Sequence, residues 1–168
     1  MDKEKVLNIL RNSSNLPLDL IRRLLSDKDK DIKHEAWNYV ISNVRDKDFL
    51  LELLSFHDTG TRYRAWNSVP EFVERGILTL EEVIKRKEHF LEMLKDSNKV
   101  VRALSWYVTL KPLLEMNVVS LGEVLSYSPF LCELINSEFH EVVEEVMQEF
   151  KITCKFIRIE DVAIHINI

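Results

Sequence analysis

Glycine and cysteine are both scarce in this chain of 168 residues. Its three glycines leave little room for a glycine-rich loop of the kind that binds phosphate. The two cysteines, Cys132 and Cys154, are too few for a disulfide framework or for a zinc site of four thiolates. From this low cysteine content we expect a reducing environment and a cytoplasmic protein.

Long apolar runs are absent as well. Residues 1–5 lead into no hydrophobic segment of the length that a signal peptide or a membrane span requires, so we expect a soluble protein with no membrane partner. The formal net charge of -5 argues against non-specific binding to phosphate backbones, because such binding depends on concentrated lysine and arginine.

No combination of residues matches a known catalytic or metal-binding pattern. A nucleophile elbow and Cys/His signatures are missing. His140 and Glu144 lie one helical turn apart, but a zinc site needs three or four ligands. No two histidines have the spacing of helical metal ligands; the five are His34, His57, His89, His140 and His165. We predict that the protein is not an enzyme and binds neither a metal nor a cofactor.

A six-residue pattern occurs three times, at residues 32–37, 61–66 and 101–106. Each copy begins with a hydrophobic residue or threonine, followed by a basic residue, two variable residues, a small residue and a tryptophan. The small residues lie roughly 30 to 40 positions apart, and Val146 continues the series without the basic residue or the tryptophan. Such periods, with two helices per unit, are typical of helical solenoids.

Turn and cap signals divide the chain into the helices of such units. Polar turns precede the three repeated helices, at residues 27–31, 57–60 and 96–98. The first of these turns ends in Asp31, a residue type that suits an N-cap. Two capping boxes begin further helices; they pair Thr79 with Glu82 and Ser120 with Glu123.

The order of an aspartate in a turn, a hydrophobic residue, an arginine, two further residues and an alanine resembles the second helix of HEAT repeats. It matches best from Asp96 to Ser105, and the resemblance covers roughly residues 17–150. The resemblance implies an all-α, right-handed superhelix of about four HEAT-like helical hairpins. From the length and composition we expect one domain, residues 1–150, and from the apolar face that ends at the polar residues 12–15 we expect a cap helix in residues 1–15. Members of that family mostly bind proteins or act as scaffolds, and relatives with HEAT-like units include an alkylpurine DNA glycosylase and bilin lyases.

Residues 151–168 change to a period of two, most clearly at Ile164, Ile166 and Ile168. We expect one or two short strands in this β-like tail. A two-stranded ribbon is marginal by itself, and an open strand edge can pair with another chain. The tail therefore either packs on the last helices or joins a second copy in a homo-oligomer.

Two features of the pattern have both a functional and a structural interpretation. The basic residues could face a phosphate or an acidic partner, but we expect them to bond the aspartates and carbonyls of neighbouring turns; they are Lys33, Arg62 and Arg102. The tryptophans could stack nucleobases, but their place beside the small residue favours packing between repeats; they are Trp37, Trp66 and Trp106.

Glutamates dominate residues 133–149, where no lysine or arginine occurs. A basic partner or a metal could dock on this segment. The alternative is a solvated helix face.

The exposed sides of the second helices form the predicted partner-binding site, since an α-solenoid usually binds through the concave surface that these helices line. Ala103 and Leu104 occupy equivalent places in the third copy. The alternative to a binding site is an ordinary solvent-exposed surface. The mixture of aromatic, amide and charged groups favours a peptide or protein partner. The predicted site consists of His34, Asn38, Tyr63, Arg64, Asn67 and Tyr107.

We therefore predict non-enzymatic protein or peptide binding, as a scaffold, with an unknown partner. The alternative is a nucleic-acid-directed protein that resembles the HEAT-like DNA glycosylases. That alternative requires a continuous positive groove that joins Arg64, Lys111 and residues 85–87. Because the net charge is negative, we do not expect nucleic acid as the partner.

Overall fold

The computed structural model describes residues 2–154, and every regular element within them is helical. This confirms the expected all-α class. The chain divides into two compact units after His89. The predicted strands of residues 151–168 are not found in residues 151–154, and the remainder of that prediction lies outside the described residues.

The first unit contains α1 (Lys3–Asn12), α2 (Leu18–Leu24), α3 (Lys30–Asn43), α4 (Lys47–Leu53), α5 (Thr59–Asn67), α6 (Val69–Glu74) and α7 (Leu80–Ile84). The division falls within α8 (Lys87–Met93). The second unit continues with α9 (Lys99–Leu104), a π-helix (Ser105–Thr109), α10 (Leu110–Glu115), α11 (Leu121–Leu125), α12 (Ser128–Cys132) and α13 (His140–Phe150). In the first unit, α1 and α2 both pack on α3, and α4 packs on α5.

Short polar side chains cap several helices, including α3, α4, α5 and α9. The Asp58 carboxylate accepts a hydrogen bond from the backbone N–H of Thr61 and thereby caps α5. Asp29 caps α3, so the prediction that Asp31 fills this place was wrong by two residues. Both predicted capping boxes are confirmed, at Thr79 and at Ser120.

Proline explains why the three repeated helices have different lengths. α3 contains no proline and runs without a break for 14 residues. In the second copy, Pro70 stands at the start of α6, and the helix is interrupted at Ser68. In the third copy, Pro112 follows the π-helix. A proline cannot donate the backbone hydrogen bond to the residue four places earlier, and its ring crowds that carbonyl, so the regular helix is disturbed just upstream.

The small residue and the tryptophan of the pattern are core positions. Ala36, Ala65 and Ser105 are fully buried. The Trp66 indole N–H donates to the Leu54 carbonyl at 2.8 Å, and that of Trp106 donates to the Leu94 carbonyl at 2.9 Å. A buried indole with its donor satisfied contributes packing area and leaves no group for stacking bases. Burial of these two tryptophans is therefore confirmed, and each indole bonds to a carbonyl 12 residues earlier in the chain. Packing between repeats stays a prediction.

The basic position of the pattern also has the predicted structural role. Lys33 forms an ion pair with Asp58 at 2.8 Å, which links α3 to the N-cap of α5. Arg62 donates to the Phe56 carbonyl at 3.0 Å. Arg102 is buried and donates to the Asp96 carbonyl at 2.8 Å. These cations tie turns to helices.

Candidate binding groove

A cavity of about 490 Å³ lies between the π-helix and α13, within the second unit. We call it the π-helix groove. One wall comes from the π-helix and α10, and the other from the last two turns of α13. The lining residues that matter below are Trp106, Tyr107, Lys111, Glu145, Glu149 and Phe150.

The π-helix carries two exposed side chains, Tyr107 and Val108. The Leu110 N–H donates to the Ser105 carbonyl, five residues back, so this turn is wider than an α-helical turn. Tyr107 is 45% exposed and Val108 is 39% exposed, although both follow the buried Trp106. Single π-turns inside helices occur frequently at functional sites.

The opposite wall is amphipathic. Val143 and Val146 bury one side of α13 in the core. The exposed side carries glutamates, of which Glu145 and Glu149 line the groove. His140 lies at the start of this helix, where its Nε2 is 3.0 Å from a carboxylate oxygen of Glu144.

Negative charge predominates in the groove. The Lys111 ammonium lies 3.3 Å from the Glu149 carboxylate, which leaves Glu145 without a second cation among the groove residues named above. The Tyr107 hydroxyl hydrogen-bonds to Glu145, and this bond together with the negative charge of Glu145 raises the pKa of Tyr107. Tyr107 therefore stays a neutral hydrogen-bond donor at physiological pH.

A disulfide holds the chain that leaves this wall. α13 ends at Phe150, and its C-cap Lys151 is a non-glycine residue in the left-handed conformation with φ of 54°. The Ile152 side chain is buried, and its N–H donates to the Met147 carbonyl. Cys154 is then joined to Cys132, the last residue of α12. This bond was not predicted from the sequence, because the low cysteine content led us to expect a reducing environment.

The predicted partner-binding residues fall in both units. His34 and Asn38 are exposed on α3, and Asn67 is exposed on α5. Tyr63 and Arg64, also on α5, are half-buried. The Lys33–Asp58 ion pair connects the two helices, so these five residues lie on neighbouring elements of the first unit.

Of the predicted partner-binding residues, Tyr107 lies in the second unit, where it lines the groove. Ala103, which was expected on the solvent side, is buried, so that prediction was wrong. Phe150 was not predicted as a groove residue, and the glutamates of α13 were predicted only as part of a general acidic segment. The signal that could have located the groove is Pro112, because a proline inside a predicted helix indicates a local defect upstream.

Among residues 2–154, no group of three or more His, Cys, Asp or Glu side chains could hold a metal ion. Within the same described part, no helix has the length and apolar character needed to cross a bilayer. No protein-family model matches the sequence, and neither the curated proteins nor the solved structures include a match. The resemblance to HEAT repeats therefore stands on the sequence pattern alone.

Proposed function

We propose that this protein is a non-enzymatic module that binds a peptide or protein, and that the π-helix groove holds a basic, partly apolar segment of the partner. The observation that carries this proposal is the combination of an exposed tyrosine ring with two carboxylates in one cavity. Tyr107 supplies the ring, and Glu145 and Glu149 supply the carboxylates.

The chemistry of the groove suits a lysine or arginine side chain. The alkyl stem of such a residue can lie along Tyr107 and Phe150, while its charged end reaches Glu145. The ring face of Tyr107 adds a further attraction for a cation. A cavity of about 490 Å³ lies within the size range of ligand pockets, roughly 300 to 1,000 Å³.

A second surface supports the same class of function. The exposed parts of α3 and α5 carry His34, Asn38 and Asn67, with Tyr63 and Arg64 beside them. We also propose that the helices stack as a right-handed superhelix of HEAT-like hairpins, for which the repeated sequence pattern is the support. In that arrangement these residues would extend the partner surface.

The nucleic-acid alternative has less support. It requires a positive groove that includes Lys111, and Lys111 instead faces Glu149 in a cavity with excess negative charge. Phosphate oxygens would be repelled there.

Two synthetic probes test the proposal by fluorescence anisotropy. The basic probe is a labelled peptide of alternating arginine and leucine, and the acidic probe has glutamate in place of arginine. We expect saturable binding of the basic probe alone. The variant Tyr107→Ala combined with Glu145→Gln should weaken it by about tenfold, because both the ring and the unneutralised carboxylate are lost.

Tyr63→Ala is the comparison variant, since it removes a tyrosine of the second surface, on α5, and leaves the groove intact. Weakening by this variant that equals or exceeds that of the groove variant would place the main site in the first unit. Equal binding of both probes, or of neither, would overturn the proposal of a basic partner.

A cytoplasmic place of action is also proposed, from the low cysteine content. Thiol trapping in the protein's native cells tests it, because disulfides persist mainly in oxidising compartments. A mixture of bonded and free pairs is the expected result there, because the bond can open in a reducing compartment, and a pair bonded in every molecule would argue for an oxidising compartment.

A further inference from the structure

We propose that the Cys132–Cys154 disulfide is a redox-sensitive clamp that holds the α13 wall of the π-helix groove in its binding-competent form. The effect of the clamp on binding rests on the proposed function of the groove. The clamping of α13 itself stands on contacts within the second unit.

The bond encloses the whole of α13. Cys132 ends α12, before α13 begins, and Cys154 lies three residues beyond the C-cap Lys151. A covalent link between the two flanks of one helix restricts how far the end of that helix can separate from the unit.

The groove residues nearest to the clamp are Glu149 and Phe150, which form the last turn of α13. Helix ends fray readily because their last carbonyls lack intrahelical partners. Here the end is closed by Lys151 in the left-handed conformation, which a residue with a Cβ adopts at a cost. An external restraint on the following residues therefore matters for keeping this turn formed.

Within residues 151–154, few noncovalent contacts hold the chain to α13. The Ile152 side chain is buried, and the Ile152 N–H donates to the Met147 carbonyl at 2.9 Å. The Cys154 sulfur also lies 3.6 Å from the Met147 thioether sulfur. The Lys151 N–H donates to the same Met147 carbonyl, so one buried apolar side chain and two backbone hydrogen bonds remain among these residues when the disulfide opens.

The two cysteine residues differ in exposure. Cys132 is 5% exposed, whereas Cys154 is in the half-buried class. A thiolate of a small thiol reductant therefore attacks the Cys154 sulfur. The bond between the two cysteine sulfurs breaks, and Cys132 leaves as a thiolate that takes up a proton.

A second reductant thiolate then attacks the reductant sulfur of the mixed disulfide. This step releases Cys154 as a thiolate, which is protonated, and leaves the reductant as its own disulfide. Two electrons and two protons have passed to the protein, which now carries two thiols.

The test compares the oxidised protein with the same protein reduced by dithiothreitol. Titration of the untreated, denatured protein for free thiols should find none; two thiols would overturn the clamp at once. Hydrogen exchange of the amides from Val146 to Ile152 should accelerate by at least about tenfold on reduction, because the last turn of α13 then opens locally. Unchanged exchange would overturn the clamp.

Binding of the basic probe tests the effect of the disulfide on the groove. We expect reduction to weaken its binding by about tenfold, since the groove must then reorder Glu149 and Phe150 on binding. A double variant with Cys132→Ser and Cys154→Ser should bind like the reduced protein and ignore dithiothreitol. Equal binding before and after reduction would overturn the gating of the groove and leave the proposed function standing.

If neither form binds the basic probe, the proposed function fails, and the exchange result alone then supports or overturns the clamp. Exchange of the amides of α1 serves as the internal control, because this helix lies in the first unit and contains no cysteine.

Discussion

Arg102 shows how one buried cation can organise several backbone segments. Its side chain is 9% exposed. Nε donates to the Asp96 carbonyl at 2.8 Å, and Nη1 donates to the Phe130 carbonyl at 3.1 Å and to the Glu133 carboxylate at 2.8 Å. Glu133 is more than half exposed, so its ion pair is screened by solvent. The two carbonyls therefore account for most of what Arg102 stabilises.

Arg102→Met should lower the free energy of unfolding by about 2 to 3 kcal/mol, because it leaves two carbonyls without their donors. Glu133→Gln is the matched variant, since it removes the charge of the partner and keeps Arg102. It should cost less than about 1 kcal/mol. Urea denaturation measures both. Similar losses from the two variants would show instead that the ion pair is the main contribution.

Asp58 combines an N-cap with an ion pair and titrates accordingly. Burial alone would raise the pKa of its carboxyl group, but the hydrogen bonds from the Lys33 ammonium and the Thr61 N–H outweigh burial, so the pKa is lowered. A carboxyl group with a lower pKa in the folded state stabilises the fold above its unfolded pKa of about 3.9. This contribution is lost as the pH falls from there through the folded pKa.

Asp58→Asn should therefore flatten the acid limb of the stability profile. Asparagine still caps a helix, so at neutral pH the variant loses mainly the ion pair with Lys33, at a cost of about 1 kcal/mol. Thermal unfolding between about pH 7 and pH 2 measures the difference, which should shrink as the pH falls below about 4. Asp48→Asn, at an exposed position of α4, is the control. A constant difference at all pH values would contradict this account.

At the scale of elements, Tyr107 lies within the π-helix, whose extra residue changes the register of the side chains around it. A π-turn accommodates one extra residue in a helix, so removal of one residue restores the α-helical register. Val108 is exposed, and its deletion removes no core side chain.

We expect the deletion of Val108 to leave the helix content by circular dichroism almost unchanged and to weaken binding of the basic probe by about tenfold, because Tyr107 then turns away from Glu145. Val108→Ala is the control that shortens the side chain and keeps the register. It should bind within about twofold of the unaltered protein. If the deletion binds normally, the π-turn does not position the groove.

The elements that could be predicted from the sequence are those with local causes. The capping boxes at Thr79 and Ser120, the C-terminal glycine at Gly76, with φ of 74°, and the core tryptophans follow from neighbouring residues and periodicity. The break at Ser68 and the π-helix were missed, although Pro70 and Pro112 are their local sign, since a proline does not specify which defect the helix adopts.

The groove and the disulfide depend on tertiary packing. The spacing of Cys132 and Cys154 along the chain does not determine the distance between their Cα atoms, which is 5.5 Å in the fold. In the same way, the glutamates of α13 indicate a charged face, and only the packing of α13 on the π-helix places Glu145 at the Tyr107 hydroxyl.

At the scale of the whole molecule, the charge distribution distinguishes the two candidate partners. The formal net charge is -5. Several lysines and arginines form ion pairs with carboxylates of their own unit. These pairs include Arg22 with Glu52, Lys33 with Asp58, Lys47 with Glu82, Arg102 with Glu133 and Lys111 with Glu149. A cation held by a carboxylate contributes little to the attraction of a distant phosphate.

A net negative field speeds the association of cationic partners and slows that of anionic partners. The association rate of the basic probe should fall by roughly tenfold as the salt concentration rises from about 50 to 500 mM, because screening removes the electrostatic steering. Single- and double-stranded DNA should show no binding at about 150 mM salt, since binding to phosphates relies on the release of condensed counterions by clustered cations. Stopped-flow anisotropy measures the first quantity and equilibrium anisotropy the second. DNA binding that weakens linearly with the logarithm of salt concentration would reverse the preference, because it would demonstrate a cationic surface that outweighs the net charge.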